Sequence, residues 1–165
     1  MKYERQDQLK LSVFKRLYYN GPLSLAELST FTNKSVPNIT SIINNLVKEG
    51  YAVQHGLAPS TGGRRPAKYR LSSKKKQYIL AVAMDQFVSR IVAYNLANEI
   101  IGSEVSITLP LKDNGAALNQ LCQFIRSYID QTGIKHEHVL GVGIGMPGFI
   151  DVEKGLNASF LPTGS

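Results

Sequence analysis

Cysteine is almost absent from this 165-residue chain, where Cys122 stands alone. That excludes an internal disulfide framework and any zinc site built on several cysteines within the chain. No run of about 18 apolar residues occurs, so no membrane-spanning helix is expected. The opening MKYERQDQLK is polar and charged, without the apolar stretch of a secretion signal. A cytoplasmic location and no membrane partner are therefore the expectation. Acidic residues are scarce in one part only. Residues 1–76 hold 4 Asp/Glu against 14 Lys/Arg, a net of +10, whereas residues 77–165 hold 8 against 5, a net of −3. A basic first part joined to a mildly acidic second part implies that only the first meets a polyanion. This charge falls within patterned, foldable sequence rather than a low-complexity tail. A hydrophobic content of 43% suits one or two small globular domains with a real core.

The stretch SVPNITSIINNLVKEG, residues 35–50, carries the strongest pattern. Ile39, Ile42, Ile43, Leu46 and Val47 recur at three- and four-residue steps, which predicts one apolar helical face. Ser35 suits the N-cap, Pro37 falls in the first turn, where a missing N–H costs nothing, and Gly50 suits the far end. The other face carries Asn38, Thr40, Ser41, Asn44, Asn45 and Lys48. A merely solvated face collects Glu and Lys pairs. Short amides and hydroxyls can instead hydrogen-bond base edges and phosphates in a DNA major groove. An ordinary helix with an uncharged outer face is the competing reading, and the neighbouring segments decide between them.

Residues 5–19 read as a first helix, with Leu9, Val13, Phe14, Leu17 and Tyr18 on one face and Asn20-Gly21-Pro22 as its stop. Ser24 caps a short second helix, and Glu27 completes a capping box. Asn33-Lys34 turns the chain into the 35–50 helix, a helix-turn-helix arrangement. The period then becomes alternating. Tyr51 to His55 and Ala67 to Leu71 predict paired strands joined by GLAPSTGGRRP, a long loop or wing with Arg64 and Arg65 near its base. Arginine suits phosphate and the narrow minor groove of A·T-rich DNA. Lys68, Arg70 and the run Lys74-Lys75-Lys76 can add sequence-independent phosphate attraction. That run also marks the end of the first domain.

From Gln77 three β-branched runs, QYILAVAM, SRIVAYNL and IIGSEVSITL, predict an antiparallel meander with Asn98 at its second turn. Leu118, Leu121, Cys122, Ile125 and Ile129 predict an amphipathic helix ending near Gly133, with Cys122 a buried, inert thiol. His136 and His138 lack nearby ligands and read as surface or packing residues. VLGVGIG is a further strand, so the helix is expected to cover one sheet face. GVGIGMPGFID, residues 141–151, can bring backbone N–H groups close to a phosphate or sugar hydroxyl, but it has no GK[ST] and opens no helix.

Together these segments resemble the ROK family (repressors, open reading frames and kinases), in particular its NagC/Mlc/XylR-like transcriptional repressors. STGGRRPAKYRLS looks like their wing, and GVGIGMPGFIDVEKG looks like the family's GIGxPGxVD signature. The resemblance implies an α+β chain: a winged helix-turn-helix over residues 1–74, then the first part of an actin-like, sugar-kinase-type α/β domain over 75–165. The family's sugar-binding Asn-Asp and Glu-His elements, its kinase aspartate and its cysteine-rich zinc motif lie beyond such a first part. No cofactor is therefore expected within this chain, and zinc only in an absent C-terminal part. An exposed hydrophobic edge is expected on the unfinished sheet. The kinases place a DxGGT-like phosphate loop between their first two strands. Here Asp85 is followed by Gln86, Phe87, Val88 and Ser89, which favours a regulator over a kinase.

The expectation is a sequence-specific DNA-binding regulator of carbohydrate genes, a repressor and not an enzyme. Its partners would be operator DNA, a sugar or sugar-phosphate effector in the full-length protein, and a second copy held through the absent C-terminal part. Ser35, Pro37, Asn38, Thr40, Ser41, Asn44 and Lys48 are the candidate recognition-helix contacts, with Arg64, Arg65 and Lys68 from the wing. A ROK sugar kinase with a DNA-binding extension and a winged-helix protein-interaction module are the alternatives.

Overall fold

The computed structural model describes residues 2–57, 65–157 and 159. The chain forms two compact units, Met1–Lys76 with Leu96–Glu99, and Gln77–Asn95 with Ile100–Ser165.

In the first unit, helix α1 (Lys2–Asn20) precedes a two-residue strand β1 (Leu23–Ser24), helix α2 (Leu25–Thr32) and helix α3 (Val36–Lys48). Strands β2 (Ala52–Leu57) and β3 (Ala67–Leu71) follow, and the sheet order is β1-β3-β2, antiparallel throughout. Gly21, at φ 75°, lets the chain leave α1, a left-handed conformation that costs glycine little. Val13 and Leu17 of α1, Leu28 of α2, and Ile39, Ile43 and Leu46 of α3 close on Ala52 and Leu71 of the sheet, all buried. Strand β1 was not expected from the sequence. Two residues carry no periodicity, and only pairing of Leu23 with Tyr69 and Ser24 with Lys68 makes them a strand.

Helix α3 stops as its Gly50 suggests. Gly50 N donates to Val47 O at 3.0 Å and Tyr51 N to Leu46 O at 2.8 Å, with Gly50 at φ 78°. This is the paired bonding of a left-handed glycine cap, and it satisfies carbonyls the helix leaves open. One residue of the expected apolar face is corrected: Val47 is 42% exposed, because the four isoleucine and leucine positions already span the arc that meets the core.

The second unit is a four-stranded sheet of order β6-β5-β4-β7. Strands β4 (Tyr78–Met84), β5 (Val88–Asn95) and β6 (Ile100–Thr108) are antiparallel neighbours, while β7 (Val139–Gly145) runs parallel to β4. The β6-to-β7 crossover contains helix α4 (Ala117–Thr132), which ends at Gly133 with φ 67°. Asn98, in the turn between β5 and β6, is also left-handed, at φ 61°. A small hairpin, β8 (Ile150–Asp151) with β9 (Leu156–Asn157), follows.

The face of α4 is also corrected. Ala117, Leu121, Phe124, Tyr128 and Ile129 are buried, whereas Leu118 is 71% exposed and Cys122 is exposed. The aromatic rings at 124 and 128 fill the space over the sheet and turn residues 118 and 122 outward. Leu140, Val142 and Ile144 on edge strand β7 are exposed as well.

Candidate nucleic-acid interface

The two faces of α3 divide cleanly. Ile39, Ile42, Ile43 and Leu46 are buried and fix the helix against α1, α2 and the sheet. On the other side Asn38, Ser41, Asn44, Asn45 and Lys48 are exposed, and none of these side chains bonds another described residue. Ser35 is the N-cap by backbone conformation but makes no side-chain capping bond, and Pro37 sits in the first turn, exposed. The exposed Ser35 hydroxyl is therefore not spent on the helix. Thr40 differs: its Oγ1 donates to Val36 O at 2.8 Å, so its proton is committed to the helix itself. Asn45 shares the outer face and completes a row of short polar groups that the sequence-based contacts passed over. The turn before α3 is built by Asn33 at φ 52°, whose N–H reaches back to Ser29 and Thr30.

The capping box at α2 forms as the spacing requires. Glu27 N donates to Ser24 Oγ at 3.3 Å, and Ser24 N donates to Glu27 Oε2 at 2.7 Å. The Ser24 backbone N–H, followed by the Ser24 hydroxyl, holds the Glu27 carboxyl below its ordinary range, and Lys68 lies 3.6 Å away.

The basic residues fall into two groups. Arg65 is exposed next to β3, and Arg64 lies outside the described residues, as does the loop stretch 58–64. Lys68 is paired with Glu27, and Arg70 Nη1 donates to Glu99 Oε1 at 3.2 Å. Lys75 Nζ donates to Glu49 O at 2.9 Å and lies 4.2 Å from the centre of the Tyr51 ring. It tethers the chain to the end of α3, where the helix dipole favours a cation. Lys68, Arg70 and Lys75 are thus engaged within the unit rather than standing free for phosphate. Lys15, Arg16, Lys34, Lys48, Arg65, Lys74 and Lys76 are exposed in the first unit without an ion pair to a described residue.

In the second unit Asp85 Oδ1 accepts from Phe87 N at 2.8 Å and Val88 N at 2.7 Å, and Arg90 lies 3.4 Å from its other oxygen. These two N–H groups hold the Asp85 carboxyl below its ordinary range. They are donors that a phosphate in this turn would need, and a carboxylate already occupies them. The turn carbonyls are also taken, Phe87 O by Leu109 N at 2.7 Å and Gln86 O by Leu111 N at 3.1 Å. The glycine-rich stretch divides in two. Gly141, Gly143 and Gly145 alternate along β7, and Asp151 Oδ1 then closes a turn by accepting from Glu153 N and Lys154 N. A Cβ at Gly143 or Gly145 would meet only Leu80 O or Val82 O, at 3.9 Å, so packing within the unit does not explain these glycines. His136 and His138 lie in a short 3-10 turn. Among the described residues no group of three or more His, Cys, Asp or Glu could hold a metal, and no helix is long and apolar enough to cross a membrane.

Three helices, a three-stranded sheet and a loop between its last two strands define a winged helix-turn-helix. Residues 6–53 match a family model described as winged helix-turn-helix DNA-binding. The chain is 28% identical to the xylose repressor of Caldicellulosiruptor bescii over 88% of its length. It is 26% identical to the xylose repressor of Bacillus subtilis over 86%, and 27% identical to the DNA-binding transcriptional repressor Mlc of Escherichia coli over 91%. It spans only 36%, 36% and 38% of the lengths of these relatives. A solved ROK family transcriptional regulator, a homolog of the E. coli MLC protein, superposes on 92% of this chain and 38% of its own, with a TM-score of 0.60 at 18% identity. That likeness shows the fold: a winged helix-turn-helix followed by a mixed α/β unit. The resemblance to ROK-family transcriptional repressors read from the residues holds over most of the chain.

Proposed function

We propose that this chain is the DNA-reading part of a transcriptional repressor of carbohydrate genes, with docking modulated by a sugar or sugar phosphate. The observation that carries the reading is the outer face of α3. Asn38, Ser41, Asn44, Asn45 and Lys48 project from a helix pinned by four buried apolar side chains, and none is spent on a bond to another described residue. A rigid rod with free amides and hydroxyls fits the major groove, where asparagine pairs with adenine through two hydrogen bonds. Ser35 and Pro37 at its start, Thr40 along its side, and Arg64, Arg65 and Lys68 from the wing are the further candidate contacts. Thr40 and Lys68 rank lowest, since each already has an internal partner.

The carbohydrate link is supported by the names of the xylose repressors. The self-occupied Asp85 turn favours a regulator over the ROK sugar kinase alternative. A homodimer on paired half-sites fits a winged helix-turn-helix reader. The test is selection of duplexes from a random 30-base-pair pool, followed by anisotropy titration across a salt series. A recovered consensus with a steep negative salt slope supports the reading. Recovery of no enriched sequence overturns it and favours a protein-interaction module. Xylose and glucose, added to the full-length protein, then test whether a sugar shifts affinity, which requires unequal binding to the two states.

A further inference from the structure

The turn Leu96–Glu99 is part of the first unit, although the residues on both sides of it, through Asn95 and from Ile100, are part of the second. The chain therefore passes between units three times, at 76–77, 95–96 and 99–100, rather than once. Leu96 is 2% exposed and lies in the same buried cluster as Leu17 of α1, Ile39 of α3 and Leu71 of β3. Tyr18 Oη of α1 donates to Asn98 Oδ1 at 3.4 Å, and Arg70 of β3 pairs with Glu99 at 3.2 Å. A cavity of about 240 Å³ is lined by Leu17, Tyr18, His55, Arg70, Leu96 and Ala97, among others. Arg70 Nε is buried without a hydrogen-bond partner among the described residues.

We propose that Leu96–Glu99 is a positioning element of the DNA-reading head. Leu96 wedges α1 against β3, and Glu99 orients Arg70, which pairs with Val53 across the β2–β3 ladder that carries the wing. Close-packed interiors transmit displacement instead of absorbing it. A displacement of this turn thus acts on β3, and from β3 on Arg65 just upstream. Sequence order conceals this role, because the turn lies twenty residues past Lys76, where the main stretch of the first unit ends. The proposal deepens the DNA-binding reading and rests on it.

The test turns on a sign. Glu99→Gln removes a negative charge from a unit that meets phosphates, so unspecific electrostatics would tighten binding to the selected duplex. Positioning predicts the opposite, a loss of about two- to fivefold, within the range an exposed ion pair supports. Glu104→Gln, which removes the same charge from β6, should cause no loss. Equal or tighter binding by Glu99→Gln overturns the proposal. A second arm needs no DNA: Leu96→Ala should speed amide hydrogen exchange in α1 and β3 more than in β4 and β7. Unchanged exchange in α1 and β3 also overturns the proposal. If the unaltered chain enriches no duplex, the DNA-binding reading fails and takes the positioning role with it. A normal duplex with a normal Glu99→Gln titration removes the positioning role alone.

Discussion

The hydroxyl of Tyr128 on α4 accepts the backbone N–H of Ala93 at 3.0 Å, in the middle of the second unit's sheet. The β5–β6 register shifts at this point, from Ile91 opposite Val105 to Ala93 opposite Ile101, so β6 carries two extra residues. Gly102, at φ 76°, supplies the left-handed step within them. Such a bulge leaves ladder groups unpaired, and Tyr128 answers on both sides, since it also lies 3.3 Å from Ser103 O as a donor. Tyr128→Phe should therefore cost about 1–3 kcal/mol, the penalty for a buried donor left without a partner. Urea unfolding followed by circular dichroism would measure it. An unchanged midpoint would mean that water replaces the hydroxyl.

The same phenol gives a pH prediction. Burial pushes the Tyr128 hydroxyl above its ordinary value, because the phenolate is the form that loses hydration. An acid whose folded value is raised contributes stability that is full below the unfolded value, near pH 10. That stability is lost as pH rises through the folded value. In an ultraviolet titration Tyr128 should ionise above the ordinary tyrosine range, and Tyr128→Phe should remove part of the alkaline loss of stability.

The Ser24–Glu27 box predicts an acid-side effect of opposite sense. Glu27 is held below its ordinary value by the Ser24 N–H. Its contribution is thus present above the unfolded value, about pH 4.5, and lost as pH falls through the folded one. Ser24→Ala should lower stability by about 1 kcal/mol, the usual worth of an N-cap. Glu27→Gln should flatten the thermal midpoint between pH 5 and pH 3 relative to the unaltered chain. A parallel decline in both proteins would show that the box contributes nothing to acid sensitivity.

These cases mark where sequence reading succeeds and where it stops. The capping box and the glycine cap of α3 are written in neighbouring residues, so spacing alone exposes them. The four buried residues of α3 follow from helical pitch, but Val47 lies at the border of the arc, and pitch does not say which way a border residue falls. On α4 the aliphatic residues suggested a face through Leu118 and Cys122. Counting Phe124 and Tyr128 as apolar anchors would have rotated it correctly. The pairing of the basic residues is illegible for another reason. Lys68, Arg70 and Lys75 find Glu27, Glu99 and the Glu49 carbonyl far off in sequence, and periodicity holds no trace of such pairs. The wing arginines illustrate the remainder: residue type marked Arg64 and Arg65 for phosphate, yet only Arg65 lies among the described residues.

On the outer face of α3 the predicted effects are unequal. Asn38→Ala and Asn44→Ala should each weaken binding to the selected duplex by about 1–3 kcal/mol if they read bases, and relax sequence preference at one position. Both side chains are exposed and bond no other described residue, so the thermal midpoint should stay within about 0.5 kcal/mol in stability terms. Thr40→Val should matter less to DNA, because the hydroxyl proton is already given to Val36 O. Anisotropy titration of the three variants would rank them. A Thr40→Val loss exceeding that of both asparagine variants would mean that α3 presents a different edge to DNA.

Two lysines near the end of α3 separate charge from structure. Lys48 is exposed, whereas Lys75 bonds Glu49 O and stacks on Tyr51. If Lys48 meets a phosphate, Lys48→Ala should reduce the slope of log affinity against log salt by about 1 for every duplex, specific or not, while leaving stability unchanged. Lys75→Ala should do the reverse: it frees a helix-end carbonyl and a ring face, which lowers the thermal midpoint and leaves the salt slope intact. Measuring both quantities for both variants makes the comparison decisive, because a general loss of positive charge would lower the slope equally in the two. An equal drop would show that the lysine after β3 reaches DNA despite its bond to Glu49, and the division of the basic residues into paired and free would have to be redrawn.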